Sequence, residues 1–69
     1  MYKPIKLRDY LRWIRQYGWS MRKDKVDWSL LDRNGNRVCT IKILHPGPKE
    51  ISAGSVQKTE KELKTRGLL

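Results

Sequence analysis

His45 is the only side chain in this sequence whose ordinary pKa lies near neutrality, and it stands beside Pro46-Gly47-Pro48 at the end of an apolar run. Acid–base chemistry by a lone imidazole needs a second base or acid within reach, and no second histidine exists to supply it. Asp24, Asp27 and Asp32 straddle one short run, Val26 to Asp32. A hard cation such as magnesium wants a denser oxygen cluster, so these carboxylates read as partners of nearby Lys and Arg, and no metal is expected. Cys39 is the only cysteine, which excludes an internal disulfide and a multi-cysteine zinc site, and its place among Val38, Thr40 and Ile41 suits a small core residue. No nucleophile motif, phosphate-binding glycine loop or zinc-ligand spacing is present, and no cofactor is implied.

The stronger chemical signal is cationic. Sixteen Lys and Arg against seven Asp and Glu give a formal charge of +9 on 69 residues, enough to attract polyanions by steering and counterion release. Residues 1–25 hold eight basic and two acidic side chains (+6), residues 26–48 three and two (+1), and residues 49–69 five and three (+2). The excess is concentrated toward the N-terminus. Arg8, Arg12 and Arg15 recur at helical spacing and form one ridge, a grip for phosphates or a solvated face over apolar neighbours. Arg22, Lys23 and Lys25 cluster around a turn, and Lys58 and Lys61 stand three residues apart toward the C-terminus. These eight are the candidate phosphate contacts. Nucleic acid is the leading partner and an acidic protein the alternative. Three Trp and three Tyr without any Phe read as the core of a small domain or as stacking surfaces for unpaired bases.

The elements that must carry these residues follow from periodicity. Leu7, Tyr10, Leu11, Ile14 and Tyr17 mark an amphipathic helix over Ile5 to Tyr17, closed by Gly18. Trp19 to Lys23 alternates as a first strand, and Asp24-Lys25 makes a tight turn. Val26 to Asp32 and Arg37 to Leu44 are two further strands joined through Asn34-Gly35, a pair that tolerates positive φ in a hairpin. Period two sends Val26, Trp28 and Leu30 inward with Cys39, Ile41 and Ile43, leaving Asp27, Ser29, Leu31, Val38, Thr40, Lys42 and Leu44 on the other face. The prolines around Gly47 end the sheet. A second helix over Ser55 to Thr65 turns Val56, Thr59 and Leu63 inward, with Ser52 or Ser55 as its cap and Gly67 at its close. The expected fold is α+β, in the order α-β-β-β-α: a three-stranded antiparallel sheet with two helices packed on one face.

A chain this short forms one domain, residues 1–69, with a small core. No apolar run approaches a membrane span, the segment Met1 to Lys6 lacks the apolar stretch of a signal peptide, and the cysteine usage fits a reducing compartment, so the expectation is a cytoplasmic protein with no membrane partner.

The element order is that of the double-stranded-RNA-binding-domain architecture, and several short motifs point to one family that has it. Leu7-Arg8-Asp9 leads into the first helix, Gly18-Trp19 ends it, Gly35-Asn36-Arg37-Val38 opens the third strand and His45-Pro46-Gly47 follows it. Lys49-Glu50-Ile51, Gly54-Ser55-Val56 and a closing Gly67-Leu68 complete the series over nearly the whole chain. In these features the sequence resembles HicA, the small toxin of HicA–HicB toxin–antitoxin modules, a family of ribosome-independent mRNA interferases. The resemblance implies mRNA as the target, a HicB-like antitoxin as protein partner, and metal-independent endoribonuclease action by attack of the RNA 2′-hydroxyl. It also exposes a departure. HicA proteins usually carry Gly-Ser-His at the start of the second strand, the histidine being catalytic, whereas this chain reads Val26-Asp27-Trp28. Trp28 occupies the histidine's place in an ungapped alignment, and Asp27 does so when a one-residue gap is moved upstream. An Asp carboxylate titrates near 3.9 against about 6.5 for His, and indole does not titrate, so neither is an equivalent base. Within this chain His45 and Asp27 are the catalytic candidates that remain. The alternatives are a nucleic-acid-binding module that kept the fold without cleavage, and a small protein-interaction adaptor.

Overall fold

A computed structural model describes residues 2–44 and 49–69. In chain order the elements are β1 (Ile5–Lys6), α1 (Leu7–Arg15), β2 (Ser20–Lys23), β3 (Trp28–Leu31), β4 (Arg37–Ile41), β5 (Ile43–Leu44), β6 (Glu50–Ile51) and α2 (Ala53–Thr65). Strands β2, β3 and β4 form one antiparallel sheet in that order, and β1, β6 and β5 form a second, smaller one. The segment His45 to Pro48, on which the Pro-Gly-Pro loop was expected, lies outside the described residues.

Helix α1 is shorter than its periodicity predicts. Ile5 and Lys6 are taken by β6, where Ile5 pairs with Ile51 and Lys6 with Glu50, and the Leu7 amide donates to the Lys49 carbonyl at 3.1 Å. At the other end Gln16 and Tyr17 belong to the closing turn. The Trp19 amide reaches back to the Ile14 carbonyl at 3.1 Å and the Gly18 amide to Arg15 at 3.0 Å, a Schellman closure. Gly18 sits at φ +76, which favours glycine there, and a Cβ would in addition lie a tight 3.3 Å from the Cβ of Arg33. Helix α2 ends in the same way, with Leu68 bonded to Leu63 and Gly67 to Lys64.

The main sheet is the expected meander with two corrections. The first concerns Val26: strand β3 begins only at Trp28, and Val26 is 85% exposed in the preceding turn rather than inward. The second concerns Val38. Ser29 pairs with Thr40 and Leu30 with Cys39, but Leu31 pairs with Arg37, so Val38 is an extra residue in β4. This bulge breaks the period of two, and Val38 and Cys39 both pack against the core. Strand parity had put Val38 on the opposite face. The turn that joins the two strands also differs from the expected one. The Gly35 amide donates to the Asp32 carbonyl at 3.0 Å, no non-glycine residue among those described has positive φ, and Gly35 takes +84. That combination is a type I turn followed by a left-handed glycine, not the primed turn in which Asn34 would share the positive φ. Asp32 Oδ1 accepts from the amides of Asn34 and Asn36, both at 2.9 Å, which stabilises this form.

A third difference is that the expected strand Arg37 to Leu44 is two strands. After Ile41 the chain leaves the main sheet at Lys42, and Ile43–Leu44 pairs with β6, Ile43 opposite Ile51 and Leu44 opposite Glu50.

Tyr10 and Ile14 of α1, Trp19, Leu30 and Ile41 of the sheet region, Ile51 of β6, and Val56 and Leu63 of α2 make one buried cluster, with Leu7, Leu11, Trp13, Met21, Trp28 and Ile43 packed around it. Leu30 and Ile41 are completely buried, each burial stabilising by about 1.5–3 kcal/mol. One polar link crosses this cluster. The Thr59 hydroxyl donates to the Ser55 carbonyl at 2.8 Å, so its oxygen is left to accept from the Tyr10 hydroxyl at 2.6 Å, joining α1 to α2. Burial pushes the Tyr10 phenol well above its usual range.

Candidate nucleic-acid interface

The turn before β3 is set by Asp24. Its amide donates to the Asp27 carbonyl at 2.8 Å, and its carboxylate accepts from the hydroxyl of Ser29, which is only 1% exposed, with Arg22 Nε at 3.5 Å. The Ser29 hydroxyl, helped by the charges of Arg22 and Arg37, holds the Asp24 carboxyl below its ordinary range. The tight turn expected at Asp24-Lys25 therefore spans Asp24 to Asp27, and Asp24 is occupied in shaping it. The result is to push Val26 and Asp27 out beside Trp28.

Two depressions meet at this turn. One, of about 230 Å³, is lined by Lys23, Val26, Asp27, Trp28, Ile41, Lys42 and Ile43. The other, of about 390 Å³, is lined by Asp27, Thr40, Lys42, Ser52, Gly54, Ser55 and Lys58. Asp27 and Lys42 belong to both. The structure thus brings together Asp27, Lys23 and Lys58, three of the sequence-derived candidates, and adds Lys42, which the sequence reading placed only as an outward strand residue. Lys42 owes its position to its own peptide group. Its amide donates to Ser55 Oγ at 2.8 Å and its carbonyl accepts from the Ser52 amide at 3.0 Å. Ser52 in turn caps α2, its Oγ accepting from the Ser55 amide at 3.2 Å and donating to Ser55 Oγ at 2.9 Å.

Trp28 has two sides. It is half-buried against the core cluster, as strand parity requires, and it also lines the smaller depression.

The remaining candidates lie elsewhere. Arg8, Arg12 and Arg15 form the expected exposed ridge and, with Leu11, line a depression of about 330 Å³ that shares no residue with the other two. Lys25 and Lys61 are exposed without lining any of these depressions, and Arg22 is engaged with Asp24. His45 falls outside the described residues. Asp32 serves the hairpin turn. The Asn36 and Asn34 amides, assisted by Arg66 at 3.4 Å, hold its carboxyl below the usual range. Arg66, which the sequence reading passed over, also lies 5.4 Å above the Trp19 ring and 3.6 Å from Glu62. Cys39 is half-buried, and burial raises its thiol pKa, as befits a packing residue.

Among the described residues no group of three His, Cys, Asp or Glu side chains could hold a metal ion, and no helix is long and apolar enough to cross a membrane. No protein-family model, curated protein or solved structure matches the chain.

Proposed function

We propose that this chain is a HicA-like RNA-binding domain with a double-stranded-RNA-binding-like arrangement, acting as the toxin-type member of a pair in which a HicB-like protein covers its basic surface. The observation that carries the proposal is the setting of Asp27 and Trp28. The segment that replaces the family's Gly-Ser-His borders two depressions rimmed by Lys23, Lys42 and Lys58. A surface of that kind binds phosphates whether or not it cleaves them, because ammonium groups position a polynucleotide without reading its sequence. The net charge of +9 supplies the long-range attraction.

Cleavage is the separable part of this reading. With Asp27 or Trp28 in the histidine's place, the general base of the family is gone, and His45 would have to act from another position. Incubation with single-stranded and structured RNA, with and without EDTA, is expected to leave the RNA intact. Cleavage that disappears in His45→Ala would instead make the chain an interferase with a relocated base. The binding reading itself is tested by RNA affinity against salt. Affinity is expected to fall by orders of magnitude between about 50 and 200 mM salt, and a flat response would defeat phosphate recognition. Growth arrest on expression, relieved by a neighbouring gene product, is the expected cellular result.

A further inference from the structure

Resting on that reading, we infer that the smaller depression is a slot for one unpaired base, which makes single-stranded RNA rather than duplex the preferred ligand. Its apolar wall is Trp28 and Ile43, backed by the buried Ile41, with Val26 standing out at its lip, 85% exposed. An apolar side chain so exposed at the tip of a charged turn does nothing for the core. Beside a half-buried indole it completes an apolar surface suited to the face of a base. Its charged rim is Lys23 and Lys42 against Asp27, a net positive frame. Lys42 also borders the adjoining depression with Lys58, so the cations continue past the slot.

An apolar floor between ammonium groups complements a ligand in which a flat apolar face alternates with phosphates at short intervals. A single strand offers that alternation, whereas a duplex keeps its base faces stacked inside and offers phosphates alone. An acidic polypeptide matches the cations but has no flat face for the slot. The turn hydrogen bonds of Asp24 and the backbone clamp on Lys42 hold both walls in place without a ligand, so little ordering is required on binding.

The test compares a short single-stranded RNA, a duplex with the same number of phosphates, and polyglutamate, each titrated into the intact chain. The single strand is expected to bind roughly tenfold more tightly than the duplex, the scale of one base stack. Val26→Ser, at an exposed position where folding is indifferent, is expected to remove most of that preference while leaving duplex affinity unchanged. Lys42→Gln is expected to weaken both RNAs. Tryptophan emission should fall when the single strand is added, and this quenching should be lost in Trp28→Phe, which keeps an aromatic ring for the core. If single strand and duplex bind equally and Val26→Ser changes neither, the slot is unused, although phosphate recognition stands. If neither RNA binds, the function proposed above falls along with the slot. If polyglutamate binds as tightly as the single strand with the same sensitivity to Val26→Ser, the surface belongs to an acidic protein and the inference is overturned.

Discussion

At the scale of single residues, position 42 carries the most information. The Lys42 peptide is bonded on both sides by Ser52 and Ser55, so its side chain is free to meet a ligand while its backbone is fixed. Lys42→Ala should therefore reduce RNA affinity and lower the salt slope on single-stranded RNA by about 0.7, with little change in thermal stability. A mutant that unfolds would show that the side chain, not the peptide, holds the corner. The converse holds at Ser52, whose hydroxyl caps α2. Ser52→Ala should cost about 1 kcal/mol in denaturant unfolding, and a neutral result would deny the cap its role. By spacing alone Asp24 and Asp32 are charge partners of nearby cations. Their first partners are in fact the Ser29 hydroxyl and the turn amides, with the arginines secondary. No spacing rule would have revealed Ser29, since a strand serine gives no sign of where its proton goes.

At the scale of elements, the hairpin carries a pH prediction. The carboxyls of Asp24 and Asp32 both titrate lower in the folded chain than in the unfolded one. Their stabilisation is thus fully present above the unfolded value near 3.9 and is lost as pH falls through the lower folded values. Melting temperature should drop on acidification below about pH 4, and Asp32→Asn should flatten part of that drop. An unchanged acid limb in Asp32→Asn would refute the assignment. How much of the elements could be read in advance differs by element. Both helix closures were visible in Gly18 and Gly67, and the inward face of α2 in Val56, Thr59 and Leu63, because the helical period is long enough to be unambiguous. The division at Lys42 was invisible. Ile41-Lys42-Ile43 alternates identically whether one strand continues or the chain passes between two sheets. The turn type was hidden too: Asn-Gly announced a turn, but the choice of type was made by the Asp32 side chain, while the bulge at Val38, beyond the Leu31–Arg37 pair, left no mark in the spacing.

At the scale of the whole molecule, a small apolar core carries a large unbalanced charge. Eight buried apolar residues among those described hold two helices and two small sheets together. Truncating one of the fully buried members, Leu30→Ala, should cost about 2–5 kcal/mol, a large share of the 5–15 kcal/mol typical of a small domain. Urea unfolding checks this, and a loss below about 1 kcal/mol would mean that the core relaxes around the gap. The surface was legible as basic from composition alone. Which cations neighbour one another was not, because Lys23 of β2, Lys42 between β4 and β5, and Lys58 of α2 come to border two adjoining depressions only through the fold. The ridge of Arg8, Arg12 and Arg15 needed only one helix, and its spacing sufficed to find it.

The clamp on Lys42 also has a kinetic reading. A residue between two strands has no ladder partner, and its amide proton would ordinarily trade places with solvent deuterium as fast as that of a loop. Here the proton is held by Ser55 Oγ, and that oxygen is tied to the first turn of α2. The Lys42 amide should therefore exchange only when the start of α2 comes undone, and Ser55→Ala should release it while leaving the exchange of the Leu30 amide slow. The chain's corner and its last helix would then open as one unit, Lys42 keeping time with a helix it does not belong to.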